Sequence, residues 1–127
     1  MKDNLKIIGQ FNKVFNDILS ADFPLIPICK SDGLKKHVEK RHPHCAPYLD
    51  NIEDILNSPD YIGTKDATSI ELIKVYDNNV LLALQIDKSN DYFYIASLYD
   101  ISDAKLNNRL HSGRLKTVKF TLFEEKT

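Results

Sequence analysis

The run Val80-Leu81-Leu82-Ala83-Leu84-Gln85-Ile86 constrains this chain more than any other segment. Apolar side chains at successive positions leave a strand no polar face, so both faces need cover. Its neighbours fit the same plan. Residues 69–76 and 91–99 are rich in Ile, Leu, Val, Tyr and Phe, and Asp77-Asn78-Asn79 and Lys88-Ser89-Asn90-Asp91 punctuate the chain between them and the middle candidate, 79–87. Short polar turns between strand-like runs predict antiparallel hairpins. Residues 116–122 alternate well enough for a fourth strand.

Upstream the period is that of helices. Leu5, Ile8, Phe11, Phe15, Ile18 and Leu19 recur at three and four residues, which predicts a helix within 5–19. Asp22-Phe23-Pro24 ends it, because a residue before proline is pushed out of the helical region. Leu25–Cys29 reads as a short strand, at an edge because Pro27 cannot donate to a neighbour. Ser31 or Asp32 caps a second helix that runs to Arg41 and stops at Pro43. Leu49, Ile52, Ile55 and Leu56 predict a short helix over 48–57, then loop to Asp66. Residues 102–110 predict a last helix capped by Ser102. The fold class is α+β, with N-terminal helices packed on an antiparallel sheet of about four strands.

At 127 residues this is a single domain over 1–127, large enough to bury about two-thirds of its unfolded surface. No run approaches the roughly 20 apolar residues of a membrane span. The start, MKDNLKIIGQ, has acid and amide where a signal peptide is apolar, so a cytoplasmic protein is expected. Two cysteines without a Cys-x-x-Cys pair exclude a disulfide scaffold and a conventional zinc module.

The net charge of −1 hides a distribution. Residues 30–44 hold Lys30, Lys35, Lys36, Lys40 and Arg41 with His37, His42 and His44. Residues 104–120 hold Lys105, Arg109, Arg114, Lys116 and Lys119 with His111 and no acid. If these segments fold against each other, they make a positive face fit for phosphates. A solvated lysine-rich helix would look the same in the sequence.

Titrating imidazoles among lysines and arginines suit phosphodiester cleavage. One group takes the proton of the attacking hydroxyl, another protonates the leaving oxygen, and fixed cations stabilise charge growing on phosphorus. In RNA the internal 2′-OH is the nucleophile, so no metal is needed. His37 and Arg41, four residues apart, share a helix face, and His42 sits at that helix's end. Cys29, His42, His44 and Cys45 are a competing zinc set, but His42-Pro43-His44-Cys45 lacks the usual ligand gaps. Lys74 is an odd cation on the strand face of Ile70 and Leu72. Ser97 aligns with Phe93, Ile95 and Tyr99, and Tyr92 and Tyr94 take the other face, where tyrosines stack bases or simply pack. Arg109-Leu110-His111-Ser112-Gly113-Arg114 is a donor-rich turn suited to a phosphate. The chain lacks Walker, Gly-x-Gly-x-x-Gly, Gly-x-Ser-x-Gly and His-Glu-x-x-His motifs, which disfavours ATPase, dehydrogenase, serine hydrolase and zinc protease chemistry.

The order of parts resembles phage-associated nucleases of the Barnase–EndoU–colicin–RelE-like superfamily. The residues carrying the likeness are Leu34-Lys35-Lys36-His37 with Arg41-His42, then Ile52-x-x-Ile55-Leu56 and Pro59-Asp60-Tyr61-Ile62. The Lys74 strand, the apolar strand and Tyr94-Ile95-Ala96-Ser97 complete it, over roughly residues 25–120. The resemblance implies a metal-independent endoribonuclease without cofactor, acting as a toxin or a phage or mobile-element effector, with an RNA substrate and an antitoxin or immunity protein as partner. It implies His37 as the helix histidine, Lys74 as the strand cation and Ser97 as the small hydroxyl. His42, Arg109 and His111 complete the expected catalytic set, with Lys36, Arg41, Tyr94, Arg114 and Lys116 on the nucleic acid. The rival class is a non-catalytic phage or mobile-element inhibitor that uses the same face on nucleic acid or an acidic protein.

Overall fold

The apolar segment is indeed covered on both sides. In the computed structural model, which describes residues 5–87, 89 and 91–118, Asn79–Ile86 is the middle strand of a seven-stranded sheet. The strands are β1 (Leu5–Gln10), β2 (Pro27–Ser31), β3 (Tyr61–Asp66), β4 (Ser69–Val75), β5 (Asn79–Ile86), β6 (Phe93–Ile101) and β7 (Leu115–Thr117). The helices are α1 (Lys13–Leu19), α2 (Gly33–Arg41), α3 (Ile52–Asn57) and α4 (Asp103–Ser112), with a 3-10 segment over Pro43–Asn51. Across the sheet the order is β1-β2-β6-β5-β4-β3-β7, antiparallel except for the parallel pair β2 and β6.

The fold is therefore α+β as expected, but the sheet is mixed and larger than about four strands. The expected first helix is split. Leu5–Gln10 pairs with β2, and the helix starts only after Asn12, whose side chain accepts from the Val14 amide at 2.8 Å. β2 lies inside the sheet, because Pro27 stands at its first residue, where a missing amide costs least. Residues 61–66, expected as loop, form β3 between β4 and β7. The last strand is β7, and the part of its expected range from 119 to 122 lies outside the described residues.

Two cores sandwich the sheet. The larger packs Phe15, Leu34, Val38 and Ile55 from α1, α2 and α3 against Ile62, Ile70, Leu72, Leu82 and Leu98. Phe93 is fully buried there, its ring 5.1 Å from Phe11 and 6.3 Å from Phe23. The smaller core, on the opposite face, packs Leu106 of α4 and Leu115 against Ile73, Leu81 and Ile101. Ser102 caps α4 by accepting from the Lys105 amide, and Gly113 ends it at φ 86°, the left-handed region glycine enters freely.

Two features shape the site. α4 packs over the Ile73–Leu81–Ile101 end of its face, and the Glu71–Ala83–Ser97 row lies beside that end. Strand β6 also carries a bulge: Ser97 pairs with Ala83 but Ile95 pairs with Leu84, so Ala96 is the extra residue. A one-residue slip reverses which way side chains point. Phe93 and Ile95 thus enter the larger core, while Ser97 and Tyr99 face the α4 side. This corrects the uniform alternation that placed all four together.

Candidate active site

The site forms where β2 stops alongside β6. β2 pairs only with Phe93 and Tyr94, and α2 then packs along the remaining length of β6. Leu34 and Val38 bury the inner side of α2. His37, three residues after Leu34 and directly before Val38, reaches over the sheet edge, and its Nε2 lies 3.1 Å from Ser97 Oγ. His42, at the end of α2, lays its ring over Tyr99 at 5.3 Å between centroids and stands 6.1 Å from His37. Burial, then the neighbouring His37 and His44, hold the His42 imidazole below its ordinary pKa and favour its neutral form.

Across the sheet, Glu71 and Ser97 are paired to opposite sides of Ala83, so all three point the same way about 10 Å from end to end. Ala83 also lines, with Glu71, Ala96 and Tyr99, a hollow of about 160 Å3 whose other walls include Asp66, Ser69 and Gln85. Glu71 is buried. Arg114 Nη2 donates to both of its carboxylate oxygens at 2.9 Å, and Arg109 Nη1 lies 3.6 Å from one of them. Arg109 Nη1 and Arg114 Nε are themselves buried, with no hydrogen-bond partner among the described residues. Desolvated donors without an acceptor are costly, and two of them at one point suit an anion that completes them. Tyr99 connects the two halves. Burial, then the Glu71 carboxylate, raise its phenol above the ordinary value and keep it a neutral hydroxyl.

Gly63 makes this approach feasible. It pairs with Glu71 on one side and Leu115 on the other. A Cβ at this position would meet the Arg114 carbonyl oxygen and come within 2.8 Å of Leu115 Cδ2.

Of the residues singled out in the sequence, the structure brings His37, His42, Ser97, Arg109 and Arg114 to this one face. Tyr94 lies beside them in a groove of about 540 Å3 that His37 also lines. Lys74 is elsewhere: it shares the larger-core face with Leu72, and its ammonium donates to the Ser58 carbonyl at 2.7 Å and Ser58 Oγ at 3.0 Å. His111 is exposed on α4, two residues from Arg109 and so about 200° round the helix from it. Lys36 and Arg41 are exposed on α2, and Lys116 is exposed on β7. Glu71 and Tyr99 are the members the sequence reading missed. The available signal was Ile70-Glu71-Leu72-Ile73, a carboxylate with no polar neighbour in its strand, in a chain with an acid-free basic segment.

Behind the histidines, His44, Cys45 and Asp100 bring ligand atoms within 4.8 Å of one another. His44 Nε2 is bonded to Asp100 at 2.7 Å, which is the first reason that carboxyl sits below its usual range. Cys45 is fully buried, and burial pushes its thiol up to about 11, so the group reads as a hydrogen-bonded His44–Asp100 pair beside a neutral thiol. Cys29, the remaining member of the zinc set, is buried on β2.

No helix among the described residues is long and apolar enough to cross a membrane. A search of curated proteins gives no match, and a search of solved structures gives none. A family model does match, over residues 6–108, and so takes in His37, His42, Glu71, Ser97 and Tyr99 but stops one residue before Arg109. Covering most of the chain, that match shows that the protein belongs to the phage-Barnase-EndoU-ColicinE5/D-RelE like nuclease3 family.

Proposed function

We propose that this member of a nuclease family is a metal-independent endoribonuclease. The observation that carries the reading is the pair of guanidinium groups gathered on Glu71, in which Arg109 Nη1 and Arg114 Nε are buried without a hydrogen bond, beside the Tyr99 ring that His42 covers. A phosphodiester seated on Arg109 and Arg114 lies between proton carriers. His42, favoured as the neutral base, takes the proton of the ribose 2′-OH, and that oxygen attacks phosphorus. The bond from phosphorus to the 5′ oxygen breaks, His37 protonates the departing oxygen, and a 2′,3′-cyclic phosphate remains. Negative charge growing on the phosphoryl oxygens is met by the guanidinium groups. Ser97 orients His37, and Glu71 fixes the arginines from behind. Lys74 and His111 have no part in this scheme.

One observation favours a second assignment of the base. Glu71 lines the hollow together with Ala96 and Tyr99 of β6, so its carboxylate is also placed to accept the 2′-OH proton. His42→Ala then lowers cleavage little and Glu71→Gln abolishes it, whereas the first assignment expects His42→Ala to abolish it.

The test is cleavage of structured and unstructured RNA in the presence of a chelator. The wild-type protein is expected to cut, and His37→Ala and Arg109→Ala to lose about 100-fold or more each. Chelator-sensitive cutting restored by a divalent cation overturns the proposal. Salt-sensitive RNA binding that is unaffected by His37→Ala, without any cutting, supports the non-catalytic class instead. The effector role and the acidic inhibitor that would cover this positive face are part of the same proposal.

A further inference from the structure

On the side of β6 away from the arginines, three groups of different chemistry meet. Asp100 is paired with Val80, a residue of the larger core, so it points to the face opposite Tyr99, where Cys45 is packed. A ring nitrogen of His44, the Cys45 sulfur and an Asp100 oxygen all lie within 4.8 Å of one another. We propose that His44, Cys45 and Asp100 bind one Zn2+ ion, which clamps the Pro43–Asn51 segment to β6. The inference is independent of the cleavage scheme, to which none of these three residues belongs.

The donor set comes first. Imidazole, thiolate and carboxylate are the ligand types zinc takes, and nitrogen with sulfur disfavours Mg2+ and Ca2+. Bound as thiolate and carboxylate, Cys45 and Asp100 supply two negative charges, which balance the ion. The thiol proton leaves to water, and the His44 ring keeps a proton on Nδ1 while Nε2 takes the metal.

The groups are also held together beforehand. Asp100 is hydrogen-bonded to His44 Nε2 at 2.7 Å and to the Cys45 thiol, so bonds to one shared carboxylate stand where bonds to one ion would form. Tetrahedral zinc at about 2.0–2.3 Å from each ligand sets the ligands about 3.3–3.6 Å apart, so they shift by about 1 Å. The Cys45 amide donates to the His42 carbonyl at 2.8 Å, which ties the turn carrying two ligands to the end of α2. Cys45 is fully buried, whereas the side chains of His44 and Asp100 are 57% and 29% exposed. The ion therefore enters from solvent, and water completes the tetrahedron on that side. Ligand spacing hid the site, because the third ligand stands 56 residues beyond His44.

The test uses the whole protein, stripped with a chelator and titrated with ZnCl2 or with CoCl2 as a coloured stand-in. Calorimetry is expected to give one Zn2+ per chain. Co2+ should show a thiolate charge-transfer band and the visible bands of tetrahedral coordination. Free Zn2+ at about 100 times its Kd should raise Tm by about 8–14 °C, and Mg2+ should leave it unchanged. His44→Ala alters a mostly exposed side chain and should weaken Zn2+ binding by about 100-fold, as should Asp100→Asn. Cys45→Ser should abolish the charge-transfer band; if that variant does not fold, His44→Ala decides. Cys29→Ser and His37→Ala should bind as wild type does. Absence of binding overturns the inference. So does binding that His44→Ala leaves unchanged and His37→Ala removes, since the ion then sits on the active-site imidazoles. RNA cleavage is read separately in chelator, so failure to cut leaves the zinc site standing, and failure to bind zinc leaves the nuclease reading standing.

Discussion

Glu71→Gln replaces the one carboxylate that two arginines share with a neutral side chain of the same shape. Glu71 is 4% exposed, Arg109 20% and Arg114 34%, so water screens the arginines in part and the acid hardly at all. Breaking a fully buried pair costs about 3–5 kcal/mol, because a desolvated charge is left behind. A third of Arg114 remains in solvent, and the amide oxygen still accepts one hydrogen bond, so we expect about 2–3 kcal/mol. In a domain of this size that lowers Tm by about 6–15 °C. The freed arginines then make an anion more valuable. Inorganic phosphate should stabilise the variant more than the wild-type protein, since a ligand bound only by the folded state adds RT ln(1 + [L]/Kd). The assay is thermal melting across a phosphate series at constant ionic strength. A variant that melts within 1–2 °C of wild type, with an unchanged phosphate response, refutes the claim that Glu71 is the counter-charge organising this site.

Further predictions follow from neighbouring geometry. Gly63→Ala puts a methyl group against the backbone of Arg114, so β3 and β7 must separate; we expect a loss of about 1–3 kcal/mol in denaturant titration and weaker phosphate binding. His42 has a depressed pKa in the fold, so below about pH 6.5 the unfolded chain takes up that proton first and stability falls with acid; His42→Gln should flatten that slope in melts between pH 5 and 7. Asp100 is depressed instead, first by its bond to His44, so its contribution is complete above about pH 4 and is lost as pH falls through the lower folded value. His44 is more than half exposed, and His44→Ala should therefore remove at most about 1 kcal/mol of it, measured as the difference between melts at pH 6 and pH 3.

What the sequence revealed of the fold follows from which forces are local. The hairpins around Val80–Ile86 and the Ser102 cap are written in adjacent residues, and both were legible; the helix runs two residues past the expected 110, to Ser112. β3 was not: Pro59-Asp60 and Gly63 look like loop, and the strand exists because β4 and β7 pair with it on both sides. The helical stripe from Leu5 to Leu19 misled because Asn12, a helix cap, divides it, and residues before the cap find their partner in β2. The bulge at Ala96 depends on the register with β5, and without it the facing of Ser97 and Tyr99 comes out reversed relative to Phe93 and Ile95. For the site, the types suited to phosphate chemistry were visible in two basic segments, and α2 and α4 bring His37, His42 and Arg109 together. Glu71 stayed hidden because its meaning depends on two arginines 38 and 43 residues away in the chain.

The central claim is cleavage by the RNA's own 2′-OH, and the ends of the products test it most directly. Mass spectrometry of a short RNA digested with the wild-type protein in chelator is predicted to show 2′,3′-cyclic phosphate and 5′-hydroxyl ends. A single 2′-deoxy substitution at the cut site should abolish that cut. Products with 5′-phosphate ends, or unchanged cutting at the deoxy position, would contradict the account, because water and not the ribose would then be the nucleophile.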